Sequence, residues 1–329
     1  MDPGMSVAPL AAPVHLVDAS LYIFRAWHSV PDEFHDAEGW PTNAVHGFAR
    51  FLLELLERER PRHIAVGFDE ALDTGFRHQL YPAYKANREP APEALRRQFS
   101  HCKALCAALG LTVLSHADFE ADDLIGSALR ASRDFGLRGI IISADKDLSQ
   151  LLRPGDEQWD FARGQRWGLA GVKAKHGVEA HQMADYLALC GDAVDNIPGV
   201  TGIGCKTAAI LLSHFGDLDT LLARADEVAF LRMRGAATVS LRLREQREHA
   251  LLWRQLTTIA TDAPLDGVAP FLRNPADGQM LASLSEALRL GPMTRRRLRA
   301  AAGLDEPEFT TPSPADTTMD APFIPSGLT

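Results

Sequence analysis

The stretch HADFEADDLIGSA, residues 116–128, places Glu120, Asp122 and Asp123 within four positions, directly ahead of an apolar run at helical spacing. Like charges this close repel one another. One account is local: the first turn of a helix has unpaired N–H groups and the positive end of the helix dipole, and both favour acids. That explains one carboxylate well and two tolerably. The other account is a bound cation, which needs further carboxylates from elsewhere in the chain.

Such carboxylates recur at the ends of apolar runs. VHLVDAS (14–20) reads as a strand ending at Asp18, HIAVGFDE (63–70) as a second ending at Asp69, and LTVLSH (111–116) as a third leading into the acidic stretch. RGIIISADKDL (138–148) is a fourth, closing on Asp145 and Asp147, and EQWDFA (157–162) is a fifth. Helical segments lie between them, among them Gly47–Glu59 with Phe48, Phe51, Leu52 and Leu55 at helical spacing. The alternation predicts an α/β fold: a central, mostly parallel sheet flanked by helices. After about residue 172 the strand signals stop, and the chain reads as helical to about residue 302.

In an open parallel sheet the C-terminal strand ends share one edge, where ligands bind. Asp18, Asp69, Glu120, Asp122, Asp123, Asp145 and Asp147 are expected there, joined by Asp192 and Asp195 of GDAVDNIPG. Singly, each acid can be a cap or a turn residue. Nine on one edge would raise one another's pKa and destabilise the fold unless something positive sits among them. Oxygen-only ligation points to a hard ion, Mg²⁺ or Mn²⁺. This many acids suits two ions, a recurring device for phosphodiester hydrolysis.

The composition sets bounds. The 329 residues suit one large domain or two smaller ones, and 46% apolar content allows a substantial core. No apolar run approaches the ~20 residues of a membrane span, and the N-terminus MDPGMSVAPLAAP lacks the layout of a signal peptide. A cytoplasmic protein with no membrane contact is expected. Cys102, Cys106, Cys190 and Cys205 form no CxxC pair, so reduced thiols are expected rather than a zinc site. The net charge of −9 argues at first sight against a nucleic-acid binder. Its distribution matters more: residues 305–329 hold five acids and no Lys or Arg, so without them the balance is −4.

Two more segments carry chemistry. NIPGVTGIGCKTAAILL (196–212) matches neither a P-loop nor a dinucleotide fingerprint, since Cys205 and Thr207 fall at the wrong places. It reads as two short helices joined by a tight glycine turn. Such a turn exposes backbone N–H groups to a phosphate, with Lys206 adding charge, although a purely structural turn fits as well. FRHQLYPAYKANREPAPEALRRQF (76–99) interleaves Arg77, Lys85, Arg88, Arg96 and Arg97 with Tyr81 and Tyr84, and its prolines interrupt helix. A solvated loop and a single-strand nucleic-acid contact both suit it.

LVDAS, FRHQLYPAYKANR, FEADDLI, SADKDLSQLL and CGDAVDNIPGVTGIGCKTA, in this order, resemble the 5′ nuclease family: the N-terminal nuclease domain of bacterial DNA polymerase I and its flap-endonuclease relatives. The resemblance runs from about Val14 to Leu304. It implies a mixed sheet with a helical arch at about 76–99, and a helix–hairpin–helix element of the three-turn type at about 190–220. It implies one metal site around Asp18, Asp69, Glu120 and Asp122, and a second around Asp123, Asp145, Asp147, Asp192 and Asp195. Lys85, Arg88 and Arg25 would act near the scissile phosphate. Arg77, Tyr84, Gly199, Gly202, Gly204, Lys206 and Thr207 would contact DNA, with K⁺ held by hairpin carbonyls.

The implied layout is a flexible extension over 1–13, a nuclease domain over 14–175, a helical DNA-binding region over 176–304 and a disordered acidic tail over 305–329. The implied activity is Mg²⁺-dependent 5′–3′ exonuclease or 5′-flap cleavage at junctions of single strand and duplex, by a monomer. An RNase on related junctions and a non-catalytic junction-binding protein are the alternatives. Phe119 and Cys205 depart from common family residues, and no polymerase region follows, so a stand-alone nuclease is expected.

Overall fold

The computed structural model describes residues 11–70 and 75–304. The expected tail, and nearly all of the expected N-terminal extension, lie outside them. The chain opens with β1 (Pro13–Asp18), α1 (Ala19–Ser29), α2 (Asn43–Glu59) and β2 (His63–Asp69). It continues through α3 (Phe76–Leu80), α4 (Glu93–Ala108), β3 (Thr112–His116), α5 (Ala121–Arg133) and β4 (Arg138–Ile142). A 3-10 turn (Asp147–Leu151) leads to β5 (Glu157–Asp160) and β6 (Gln165–Trp167).

The strands form one sheet in the order β3-β2-β1-β4-β5-β6. β1 to β5 are parallel, and β6 joins antiparallel. Central parallel strands are buried on both faces and so need near-continuous apolar sequence. Val14, Leu16 and Val17 of β1 and Ile141 and Ile142 of β4 are fully buried, as that rule demands. β6 escaped the sequence reading because QRW is short, polar and on an edge. Arg166 of that strand lies 3.7 Å above the Trp159 ring, so its charged head stays at the surface over an apolar floor.

One face of the sheet is covered by α1, α2 and α4, with Tyr22, Phe48, Leu52, Cys102 and Leu105 in a shared cluster. α2 begins four residues before the expected Gly47. Asn43 anchors that first turn, donating to Trp27 O and Val30 O. The other face is covered by α5, whose Leu124, Ile125 and Leu129 join the core of the helical region. That region holds α6 (Leu169–His176), α7 (Met183–Cys190), α8 (Cys205–Phe215), α9 (Leu218–Ala223), α10 (Ala236–Glu245) and α11 (Arg247–Thr257). α12 (Gly278–Ala287) and α13 (Pro292–Ala301) return to the first face, where Leu281 and Leu298 are buried with α2 and α4. Each large apolar side chain buried this way contributes about 1.5–3 kcal/mol.

Candidate active site

Strand order reverses between β1 and β4, and an open sheet forms its binding crevice at such a switch point. Asp18 ends β1 there. Its side chain caps α1 by accepting from Leu21 N at 3.1 Å and also accepts from Ser143 Oγ at 2.8 Å. Asp69 ends β2 and accepts from Ala121 N, at the start of α5, at 2.7 Å. Glu120 is the N-cap of α5, in a capping box with Asp123. Past β4, Asp145 Oδ1 accepts from Asp147 N at 3.0 Å, while Gln158 Nε2 grips the Ser143 and Asp145 carbonyls. The acids of the opening stretch thus do serve a helix N-terminus, as the local account holds, and Asp18, Asp69 and Asp145 each accept from a helix start as well. Those bonds do not relieve the burial and mutual repulsion of Asp18 and Asp122.

Three cations meet part of the charge. Lys85 Nζ lies 2.7 Å from Glu120 Oε1 and Arg88 Nη2 lies 2.7 Å from Asp195 Oδ1. Lys146, which sequence reasoning overlooked although it stands between Asp145 and Asp147, reaches Asp192 at 2.5 Å. The backbone supports this pairing: Lys85 N donates to Asp195 O, Asn196 Nδ2 to Ala83 O and Asn87 Nδ2 to Ala193 O. Segment 83–88 is thereby stitched to the Asp192–Asn196 loop across the acidic edge.

Among the described residues, Asp18, Asp69, Asp122 and Asp145 have no ion-pair partner; the hydrogen bonds of Asp18, Asp69 and Asp145 come from neutral groups. Burial pushes Asp18 up to about 7, and Asp69 and Asp145 add to the rise. Burial also holds Asp122 well above the usual carboxylate range, helped by Asp145, Asp18 and Asp69. Asp147 rises to about 7 through burial and Asp145. Its Oδ1 is buried without a hydrogen bond, 3.2 Å from Lys146 Nζ but out of alignment. Burial would raise Glu120 too, yet Lys85 and Arg77 bring it below its ordinary value, and Lys146 does the same for Asp192.

An orphaned carboxylate oxygen and four acids without a cation partner fit a hard divalent ion. No group of three or more His, Cys, Asp or Glu among the described residues has the closeness of a finished ligand set. Glu120, Asp195 and Asp192 are paired instead with Lys85, Arg88 and Lys146. Asp145 acts electrostatically on Asp18 and Asp122 as well as on Asp147.

Three sequence expectations need correction. Asp123 is fully buried, and both its oxygens are taken by Arg77 at 2.7 and 2.8 Å, by Glu120 N and by Ala260 N. It has no lone pair turned to the acidic edge and is a structural partner rather than a metal ligand. Arg77 is 4% exposed and spends its remaining N–H groups on Leu256 O and Thr258 O, so it does not reach a nucleic acid. Tyr84 is 2% exposed, its hydroxyl donating to Glu120 and Asp195, which leaves no ring face for a base. Arg25, expected near the phosphate, pairs with Asp160 at 3.4 Å and stays partly exposed.

The glycine turn joins α7 to α8. Gly199 has φ +71°, and a Cβ there would lie 2.4 Å from Gly191 N, so only glycine fits. Gly202 has φ +82° with open space around it. Gly204, expected to contact DNA, has φ −91° and nothing within 4 Å, so the fold itself does not require glycine there. Lys206 is exposed and Thr207 half-buried at the start of α8. A separate cleft of about 340 Å³ beside Asp69 is lined by Phe24, Phe99, Arg96 and Lys103, and sequence reasoning found Arg96 alone among these.

Sheet, acidic switch point and helical second half define an α/β protein with a carboxylate-rich strand-end edge. The chain matches the family described as 5′-3′ exonuclease, N-terminal resolvase-like domain over residues 13–177, and 5′-3′ exonuclease, C-terminal SAM fold over residues 178–277. It belongs to the 5′-3′ exonuclease family and is a nuclease of that family.

DNA polymerase I of Rhizobium leguminosarum is 39% identical over 289 residues, 85% of this chain and 28% of that protein. DNA polymerase I of Pseudomonas aeruginosa is 43% identical over 256 residues, 78% of this chain and 28% of that protein. The chain thus spans between a quarter and a third of the length of these relatives. The solved T5 5′-exonuclease with bound zinc superposes with a TM-score of 0.62 at 19% identity, covering 89% of this chain and 100% of that one. The catalytic core of Rad2 in complex with DNA substrate gives 0.57 at 17%, covering 89% and 92%. At such identities these two speak for the fold.

Proposed function

We propose that the chain is a Mg²⁺-dependent, structure-selective 5′ nuclease that cuts DNA near the junction of a 5′ single strand and a duplex, leaving a 5′ phosphate. One observation carries this: Asp18, Asp69, Asp122 and Asp145 stand together at the switch point with no cation of the protein's own, beside lysine and arginine side chains suited to a phosphate. Asp18, Asp69, Glu120 and Asp122 would hold one ion, and Asp147, Asp192 and Asp195 the other, with Asp145 between. Asp123 is left out. Bound divalent ions supply a water nucleophile at neutral pH and stabilise the leaving oxygen, and Mn²⁺ suits the same ligands.

The chain's own residues do the rest. Lys85 and Arg88 donate charge-assisted hydrogen bonds to Glu120 and Asp195, and a phosphate oxygen can replace either acceptor. Their positive charge then lies where negative charge develops. The Gly199–Lys206 turn is read as the hairpin of a helix–hairpin–helix, its N–H groups and Lys206 holding duplex phosphates. It offers backbone oxygens and no acid, which suits K⁺ better than a divalent ion. Residues 14–175 would form the catalytic domain and 176–304 the DNA-binding region of a cytoplasmic monomer.

The test is direct: 5′-labelled flap, nicked and hairpin DNA are incubated with and without Mg²⁺. Cleavage confined to the junction and to the samples with metal is expected. Equal cleavage of junction-free DNA, or none, would refute the reading.

A further inference from the structure

α11 touches the glycine turn from its N-cap Gln246 and again from Trp253, one turn before its C-terminal end, and touches the acidic elements at that C-terminal end. Gln246, the residue capping its N-terminus, accepts at Oε1 from Thr201 N and Thr201 Oγ1, both at 3.1 Å. Trp253, 6% exposed, donates from Nε1 to Gly199 O at 3.1 Å. Both contacts fall on the turn between α7 and α8.

The C-terminal end of α11 presents carbonyls and the negative end of its dipole. Arg77 takes Leu256 O at 2.8 Å and Thr258 O at 3.0 Å, and with the same guanidinium holds Asp123 in the first turn of α5. Ala260 N, just past the helix, donates to Asp123 as well. Gln150 makes the second link: its Nε2 donates to Thr257 O and to Asp147 O, and its Oε1 accepts from Ile259 N. Glu120 and Asp122 on one side and Asp147 on the other therefore hang from the same helix end.

An 11-residue helix spans roughly 16 Å and transmits displacement as a stiff rod. We infer that α11 is a strut: seating a duplex on the glycine turn sets the carboxylates into register through Trp253, Arg77 and Gln150, with Arg77 a positioning residue. This rests on the reading that the turn binds duplex DNA. Binding affinity is set at the turn and catalytic alignment at the far end, so cutting the strut separates the two. A packed rigid element joined by hydrogen bonds at both ends is the physical form such coupling takes, and a mutant cycle measures it.

Trp253→Phe keeps an aromatic ring beside Tyr81, whose centroid lies 5.0 Å away, and removes the donor to Gly199 together with part of the buried ring volume. Arg77→Lys keeps the charge and loses the fork. Full-length protein is assayed on a duplex with a 5′ flap, measuring affinity in EDTA, single-turnover rate at saturating DNA in Mg²⁺, and thermal unfolding. Trp253→Phe should leave affinity within twofold and the protein folded at the assay temperature, with a midpoint lowered by the lost ring volume and donor, while lowering the rate about tenfold. The double variant should be no slower than Arg77→Lys alone. If Trp253→Phe leaves the rate unchanged, lowers affinity and rate together, or multiplies with Arg77→Lys, the strut is refuted. Should Arg77→Lys fail to fold, the rate and affinity of Trp253→Phe decide. Wild-type protein that neither binds nor cuts the flap would overturn the functional reading itself, an outcome distinct from a normal wild type with an unaffected Trp253→Phe.

Discussion

Asp122 and Asp123 are adjacent in sequence and opposite in surroundings, and substitution should separate them. Asp123→Asn removes the charge opposite a buried guanidinium, and breaking such a pair costs about 3–5 kcal/mol. Asp122→Asn removes a carboxylate already crowded by Asp145, Asp18 and Asp69, so stability in EDTA should hold or rise while cleavage is lost. Urea unfolding of both variants in EDTA checks the contrast; equal destabilisation would contradict it. Lys85→Ala should slow the single-turnover step on saturating flap DNA by roughly a hundredfold, with a smaller loss of affinity, because a fixed cation acts most where charge develops. An unchanged rate would remove Lys85 from the chemistry. Residue types and spacing disclosed the acids, but not which of them a partner 46 positions away would claim, as Arg77 claims Asp123. The interleaving of basic and aromatic residues made Arg77 and Tyr84 look like surface contacts; their burial arises from α11 and the Asp195 loop, which no local pattern reveals.

At the scale of elements, parallel strands announce themselves because both faces are buried, and β1 to β5 follow the apolar runs closely. β6 carries no such signal. The arch segment is a short α3, a run of turns and Pro92 capping α4, consistent with the prolines that mark it in the sequence. The glycine turn gives a sharp test. Gly199→Ala forces a side chain against Gly191 N at positive φ, so it should cost at least about 1–2 kcal/mol before any effect on DNA. Gly204→Ala, facing open space, should fold as wild type and can act only on a bound phosphate. Thermal unfolding of the two free proteins distinguishes them, and equal midpoints would show that the crowding at Gly199 is relieved by a small backbone shift.

For the whole molecule, burial and mutual repulsion of the carboxylates at the switch point cost stability that the proposed metal would restore. Asp18 and Asp147 are raised from 3.8 to about 7, and Asp122 is raised too, chiefly by burial. A raised carboxyl binds its proton more tightly in the folded state. Its contribution is therefore present below the unfolded pKa and is lost as pH climbs through the folded one. In EDTA the unfolding midpoint should fall between pH 5 and 7.5. Mg²⁺ should recover more at pH 7.5, where it competes with fewer protons, and a larger gain at pH 5 would contradict this. The central claim is that these acids serve bound metal in phosphodiester cleavage. Its most direct test is single-turnover cleavage of 5′-flap DNA by wild type and Asp145→Asn in Mg²⁺. Wild type should cut at the junction, leaving a 5′ phosphate, and Asp145→Asn should be slowed by roughly a hundredfold or more with affinity for the flap retained. Turnover by Asp145→Asn near the wild-type rate would contradict the account.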